Sequence, residues 1–327
     1  MSNVIKNPLD FEKNLTIQEA HLEELKERLN AGDEDIRKEY AELEKKVTKL
    51  RKETYEDLSV YQKVQISRHQ NRPLTLDYIN LIFTDFVELH GDRCFGDDFA
   101  IIGGLAKISG KSVIIVGHQR GKDTQERLKC NFGMAEPEGY RKALRLFHMA
   151  EKFHLPLINF IDTAGAYPGI DAERRGQAEA IATNLKELSM LKTQIISVVI
   201  GEGGSGGALA LGVADRVLML QNSCYSVISP EGCASILWGK DGEEVSLDKI
   251  KQSAEMLKLT PSDLKKLGII DEIVEEPLGG AHRNYKEMAE TLKSALFRNL
   301  NELQKFEIDK LLDLRYQKFR NIGDFSI

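Results

Sequence analysis

The chain has 327 residues, a net charge of −6 and four cysteines, a length that allows one large α/β domain with appendages or two domains. Its longest apolar runs are too short to cross a membrane, and the polar start over residues 1–6 is unlike a signal peptide. The cysteines form no C-x-x-C pair, which argues against a zinc site or a disulfide framework, and the acidic balance favours no nucleic-acid partner. We therefore expect a cytoplasmic protein with no membrane contact and no specific nucleic-acid site.

Residues 1–72 predict a helical N-terminal extension. Apolar residues recur there at spacings of three and four on both sides of Ala31–Asp33, which is the pattern of an amphipathic helical hairpin. Pro73 opens a core region, predicted over residues 73–276, whose first helix is expected from Leu74 to about Glu88. Residues 277–327 predict a C-terminal helical segment.

Strands and helices alternate along the predicted core. Apolar runs predict strands near residues 100–107, 112–117, 156–161, 195–200, 215–220, 225–228 and 269–274. Helices are predicted from Pro137, over residues 177–191 and within residues 247–267. The segment His118–Lys129 is basic and contains glycine, and we expect a solvated loop there rather than a phosphate site. The alternation favours an α/β core.

A glycine-rich stretch is the strongest functional signal in the sequence. The β-branched run Ile195–Ile200 predicts a buried strand, Gly201–Gly207 a loop, and Ala208–Leu211 the start of a helix. N–H groups in the first turn of a helix have no intrahelical acceptor, so they can bind an anion or stabilise developing negative charge. A second loop rich in glycine and proline, Asp162–Gly169, follows another predicted strand.

Three chemical interpretations compete for this stretch. The G-x-G-x-x-G spacing fits a dinucleotide site, but the next strand ends in Leu220 and Gln221 instead of the required acid. The G-x-S-x-G spacing around Ser205 fits the nucleophile of a serine hydrolase, with Asp271 and His282 following in the right order. In the third interpretation, backbone N–H groups of both glycine loops converge on one oxygen atom. The glycines could also be packing devices in a non-catalytic assembly subunit.

Several long motifs resemble one family. They are Pro137–Leu146, Phe160–Gly169, Val199–Leu211, Tyr225–Trp238 and Pro277–Arg283. Together they are similar to the carboxyltransferase alpha subunits of bacterial acetyl-CoA carboxylase, which are members of the crotonase superfamily. The resemblance spans nearly the whole chain and implies an α/β, crotonase-like ββα superhelix with helical N-terminal and C-terminal extensions. One departure is Ala164, where the family more often has proline.

The resemblance also implies a reaction and a set of partners. A carboxyl group passes from carboxybiotin, delivered by the biotin carboxyl carrier protein, to acetyl-CoA, which gives malonyl-CoA in the first step of fatty acid synthesis. No cofactor is expected on this chain itself. The implied partners are a zinc-containing beta subunit in an α2β2 heterotetramer, the carrier protein and, in the wider complex, biotin carboxylase.

By the same resemblance, Gly206 and Gly207 are expected to form the oxyanion hole for carboxybiotin. The expected substrate-binding residues are Gly165, Ala166, Tyr167, Gly204 and Ser205. The released biotin anion can itself take the proton from acetyl-CoA, so no side-chain general base is required. Both anions of the reaction suit paired N–H donors.

Overall fold

A computed structural model of the protein describes residues 7–239 and 244–323. The helices are α1 (Lys13–Asn30), α2 (Arg37–Glu56), α3 (Val60–Ser67), α4 (Thr75–Ile82), α5 (Thr124–Lys129), α6 (Pro137–Lys152), α7 (Ile170–Arg174), α8 (Gln177–Met190), α9 (Ser205–Leu209), α10 (Pro230–Trp238), α11 (Leu247–Met256), α12 (Pro261–Lys266), α13 (Tyr285–Leu303) and α14 (Ile308–Arg320). The strands are β1 (Thr84–Glu88), β2 (Ile101–Ile108), β3 (Lys111–His118), β4 (Leu157–Thr163), β5 (Ile195–Gly204), β6 (Arg216–Leu220), β7 (Cys224–Ser226) and β8 (Glu272–Val274). Within these described ranges, none of the helices combines the length and apolarity that a membrane crossing requires.

The eight strands form one mixed sheet in the order β1-β2-β3-β4-β5-β6-β8, and β7 pairs with the carboxyl half of β5. Strands β1 to β3 are antiparallel, and β2 joins β3 through Ser109 and Gly110, which both have positive φ. That conformation suits the tight hairpin turn predicted there. From β3 onward the neighbouring strands are parallel, so the carboxyl ends of β3, β4 and β5 lie at one edge of the sheet. The predicted α/β core is confirmed.

Strands β4 and β5 are buried along their whole length. Leu157 and Ile195 pack in one apolar cluster with side chains of α6 and α8, whereas Ile158 and Ile196 pack in another with side chains of α4 and α13. Helices thus cover both faces of the sheet. A parallel strand covered on both faces is expected to be a continuous apolar run, as these two strands are.

The predicted N-terminal hairpin is confirmed as α1 and α2, and Gly32 between them has a φ of +99°. Asp33 does not cap the following helix with its side chain but pairs with Arg28 at 2.6 Å. Glu19 joins the hairpin to the part of the chain that follows β8. Its carboxylate lies 2.8 Å from the guanidinium of Arg283. The three-part division at residues 72 and 276 stays a prediction.

Two of the predicted elements are wrong. The helix expected to reach Glu88 ends at Ile82, because Phe83 is extended and residues 84–88 form the edge strand β1. The β-branched and aromatic residues of that segment favour a strand. The expected loop over His118–Lys129 contains the helix α5, which Asp123 caps through the N–H of Glu126.

The boundaries of both glycine loops also differ from prediction. Gly201–Gly204 continue β5 instead of forming a loop, because Glu202–Gly204 pair with β7 on one side and Gly203 pairs with Thr163 on the other. Asp162 and Thr163 likewise belong to β4. The helix predicted from Ala208 begins earlier, at Ser205. Tertiary strand pairing has overridden the weak strand propensity of glycine here.

Candidate active site

Two short backbone segments meet at the carboxyl edge of the sheet. We call Ala164–Gly169, which follows β4, the first segment, and Gly204–Gly207, which begins at the last residue of β5, the second segment. A Cβ atom built on Gly204 would lie 2.0 Å from the carbonyl oxygen of Ala164, and one built on Gly207 would lie 2.6 Å from the carbonyl carbon of Gly165. Only glycine permits such an approach. The structure therefore brings together the two segments that the sequence singled out.

The contact between the segments carries unused backbone donors. No described residue accepts a hydrogen bond from the N–H groups of Ala166, Gly206 or Gly207. The N–H of Gly165 instead donates to Thr163 Oγ1 at 3.1 Å. Gly206 and Gly207 lie in the first turn of α9, where a helix has no intrahelical acceptor for its N–H groups. Backbone N–H groups that have no acceptor are the kind of donor that can stabilise an oxyanion.

Tyr167 shapes the first segment from within. Its N–H donates to the carbonyl oxygen of Ala135 at 3.0 Å, and its carbonyl oxygen accepts from Gln177 Nε2 at 3.0 Å. Its ring folds back onto Gly169, where a Cβ atom would lie 2.4 Å from Tyr167 Cε1. The half-buried ring therefore packs on its own segment and helps to fix its path.

Ser205 is exposed and has a φ of +49°, a strained conformation for a residue with a side chain. The strained turn is the backbone feature of a hydrolase nucleophile, but the partners are elsewhere. The His282 ring is buried 3.2 Å from Glu12, and Asp271 accepts from the N–H of Val217 before β8. Asp271 precedes a strand whereas Ser205 follows one, so in this parallel part of the sheet they lie at opposite ends of the strands. The structure does not assemble the hydrolase triad.

A chain of charged side chains lies beneath the two segments. Asp162 Oδ1, at the end of β4, accepts from the N–H of Glu202 at 3.0 Å and lies 3.2 Å from Arg120 Nη1. The same nitrogen of Arg120 lies 3.5 Å from Glu202 Oε2, while Arg68 Nη2 donates to Glu202 Oε1 at 2.6 Å. A further bond, of 2.8 Å, joins Arg68 Nη1 to Glu231 on α10. These ion pairs connect the ends of β4 and β5.

Burial raises the pKa of Asp162 above its ordinary value, although the charge of Arg120 opposes this shift. For Arg68, burial favours the neutral form, but the carboxylates of Glu202 and Glu231 outweigh it and raise the pKa. The guanidiniums of Arg120 and Arg68 therefore both stay charged. No local sequence pattern predicts this network. The available signal was Glu202 itself, because a carboxylate inside a buried strand requires a partner.

One group of side chains has the composition of a metal site. Ligand atoms of Glu12, His69 and His282 lie within 4.8 Å of one another, and all three residues are buried. However, His69 Nδ1 accepts from the N–H of Asn71 at 3.1 Å. Its Nε2 therefore carries the proton in the neutral ring and offers no lone pair to a metal. The group instead joins the N-terminal segment to the core.

The family described as acetyl co-enzyme A carboxylase carboxyltransferase-like matches residues 8–323. The acetyl-coenzyme A carboxylase carboxyl transferase subunit alpha of Geobacter metallireducens is 57% identical over 97% of this chain and 98% of its own length. The protein of the same name from Fusobacterium nucleatum is 54% identical over 97% of this chain and 100% of its own. Among solved structures, transcarboxylase 12S superposes with a TM-score of 0.54 and 22% identity, over 68% of this chain and 41% of that chain.

The family match over residues 8–323 defines the class as a carboxyltransferase of the acetyl co-enzyme A carboxylase type. The likeness of the mixed sheet to the transcarboxylase, at 22% identity, shows a shared fold alone. The relatives then narrow the class to one subunit. The chain belongs to the acetyl-CoA carboxylase carboxyltransferase family and is one of its bacterial alpha subunits. The resemblance described from the motifs is confirmed, and the hydrolase and dinucleotide interpretations are not.

Proposed function

We propose that this subunit forms the biotin side of the site at which a carboxyl group passes from carboxybiotin to acetyl-CoA. The observation that carries the proposal is the contact between the first and second segments, with unused N–H groups at Gly206 and Gly207. Carboxybiotin supplies the carboxyl group when its carrier protein delivers it. Malonyl-CoA is the product.

In this proposal the N–H groups of Gly206 and Gly207 donate to the ureido oxygen of biotin, where negative charge develops as the carboxyl group leaves. The pocket around that oxygen is lined by Gly165, Ala166, Tyr167, Gly204 and Ser205. No described side chain near the N–H groups is needed as a general base, because the released biotin anion takes the proton from acetyl-CoA. Since the donors belong to the backbone, their position depends entirely on how the two segments are held.

The other half of the proposed site belongs to a beta subunit. Support comes from the relatives, which are named as alpha subunits of the carboxyl transferase. We propose that a zinc-containing beta subunit supplies the donors for the thioester enolate of acetyl-CoA, in an α2β2 assembly that works in the cytoplasm with the carrier protein and biotin carboxylase. The chain alone should not decarboxylate malonyl-CoA in the presence of biotin, and added beta subunit should restore this activity. Equal activity of the chain alone would refute the divided site.

The test of the donors uses Gly206, because Gly207 cannot be changed without moving the first segment. A Cβ atom on Gly206 would meet only Ile181, at an ordinary distance of 3.6 Å. Gly206→Pro removes the N–H; proline is tolerated in the first turn of a helix but also restricts Ser205 before it, so assembly and stability are measured alongside turnover. Gly206→Ala keeps the N–H and is the matched control.

We expect Gly206→Pro to lower turnover about a hundredfold to a thousandfold, the usual effect of losing one oxyanion donor. Gly206→Ala should keep most of the activity. Assembly with the beta subunit and the thermal midpoint are measured for both variants, so that misfolding is recognised. A proline variant that assembles normally and keeps near-full turnover would remove this N–H from the site.

A further inference from the structure

Arg120 lies where the supports of the two segments meet. Its Nη1 atom is 3.2 Å from Asp162 Oδ1 and 3.5 Å from Glu202 Oε2. Asp162 comes two residues before Ala164 in the first segment, and Glu202 comes two residues before Gly204 in the second. A single guanidinium therefore bridges the ends of β4 and β5 just before the backbone that carries the unused N–H groups.

A strained turn holds the stem of Arg120 in place. Asn131, Phe132 and Gly133 have φ values of +45°, +56° and +82°, a conformation that L-residues with side chains rarely adopt. A Cβ atom on Gly133 would lie 2.7 Å from Arg120 Cγ and 3.0 Å from the carbonyl oxygen of Asp162. The turn therefore packs against both the aliphatic part of the Arg120 side chain and the end of β4. Backbone strain of this kind persists where the surrounding structure determines it, often at functional sites.

The bridge passes through one atom, because the same Nη1 nitrogen of Arg120 contacts both carboxylates. Glu202 is held from its other side by Arg68, through two nitrogens at 2.6 and 3.0 Å. Its carboxylate is therefore fixed between two planar cations, and Arg120 alone also reaches Asp162. A lysine ammonium keeps the charge, but it is a point charge on a flexible stem and does not hold this position as a planar guanidinium does.

We propose that Arg120 is a positioning residue for carboxyl transfer. By bridging Asp162 and Glu202 it fixes the separation of the two segments and so sets the N–H groups of Gly206 and Gly207. This inference rests on the proposed function, because it takes those N–H groups as the oxyanion donors. A displacement of about 1 Å in a catalytic geometry can lower turnover by about a hundredfold.

Arg120→Gln, Arg120→Lys and the control Arg72→Lys are compared in the complex with the beta subunit. Arg72 is buried, and its Nε donates to the carbonyl oxygen of Ile200 on β5 at 2.7 Å, but its carboxylate partner is Glu276. We expect Arg120→Gln to lower kcat by about ten- to a hundredfold with the KM for acetyl-CoA changed less than about twofold. Arg120→Lys should recover part of kcat, because it keeps the charge. Arg72→Lys should lower the thermal midpoint without this selective loss of kcat.

Hydrogen exchange of the backbone amides supplies a readout that does not depend on activity. Residues 164–167 and 204–207 should exchange faster in Arg120→Gln than in the unchanged protein, and Arg72→Lys should leave them nearly unchanged. Unchanged exchange in Arg120→Gln, or losses of kcat that only follow the folded fraction, would overturn the positioning role. Failure of the proposed function is recognised separately, because it requires full turnover in Gly206→Pro.

Discussion

Arginines serve both ends of the central parallel strands, but in different ways. Near the amino end of β5, Arg315 is 2% exposed and makes five hydrogen bonds, to both oxygens of Asp215 and to the carbonyl oxygens of Leu188, Leu191 and Thr193. Near the carboxyl end, the side chain of Arg120 is 22% exposed, and only its Nη1 atom contacts carboxylates.

Arg315 has a purely structural arrangement of hydrogen bonds, whereas Arg120 keeps donors that the described residues leave free to bind. Arg315 has five N–H donors and uses all of them, so nothing else can bind to it. The Nε and Nη2 atoms of Arg120 have no partner among the described residues. The amino end is therefore closed by packing, whereas the carboxyl end keeps donors without a partner in the described part of the chain. In open parallel sheets, ligands bind outside the carboxyl ends of the strands.

The largest effect on stability is expected at the amino end. Arg315→Met should lower the free energy of unfolding by about 3–5 kcal/mol, because it leaves the buried carboxylate of Asp215 without its cation. Turnover per folded molecule should change little, as measured by kcat at a temperature where the variant is folded. Adding Asp215→Asn should recover part of the loss. A large fall in kcat of the folded protein would contradict the proposal that the amino end affects stability and not turnover.

The pH dependence of stability concerns Glu12, which lies 3.2 Å from His282 where the N-terminal part of the chain meets the core. Burial favours its neutral form, but hydrogen bonds from His282, Tyr55 and the N–H of Leu9 outweigh burial and lower the pKa of Glu12 to about 2. A carboxylate whose folded pKa is lowered stabilises the fold above its unfolded pKa of about 4.5 and loses this contribution as the pH falls through about 2.

Glu12→Gln should therefore lower the thermal midpoint at pH 7 and show a smaller further loss between pH 5 and pH 3 than the unchanged protein. The midpoint is measured by circular dichroism at each pH. Hydrogen exchange at pH 3 should increase around residue 282 before it increases around Arg315. Parallel pH curves for the two proteins would refute the role of this carboxylate.

The smallest effect is expected at Ser205. Ser205→Ala should leave most of the turnover, because the proposed chemistry uses the backbone of this residue and not its hydroxyl. No covalent labelling by a fluorophosphonate is expected, since neither Asp271 nor His282 reaches the serine. Labelling of Ser205, or a loss of many orders of magnitude, would restore the hydrolase interpretation.

Sequence patterns predicted the parts of the fold that depend on local composition. The apolar runs of β4 and β5 and the apolar face of α6 were sufficient, because continuous burial and helical spacing leave direct signals. Gly201–Gly204 were mistaken for a loop because their strand conformation depends on pairing with β7, which no local pattern encodes. The first and second segments were found because glycine and proline mark unusual backbone directly.

The charged network could not be predicted in the same way. Arg120 meets a partner 42 residues further along the chain, and Arg68 meets one 134 residues away. Their spacing in sequence carries no information on these contacts. The order of Ser205, Asp271 and His282 illustrates the opposite error, because a correct order along the chain did not produce a correct geometry.

The fastening of the N-terminal hairpin has a consequence for the order of events during synthesis. Glu12 and Glu19 are made first, but they bind His282 and Arg283, which emerge from the ribosome some 270 residues later. The hairpin can form early from local contacts, yet its docking must wait for nearly the whole chain. A nascent chain arrested before residue 277 should accordingly leave α1 and α2 open to protease, whereas the released full-length chain protects them.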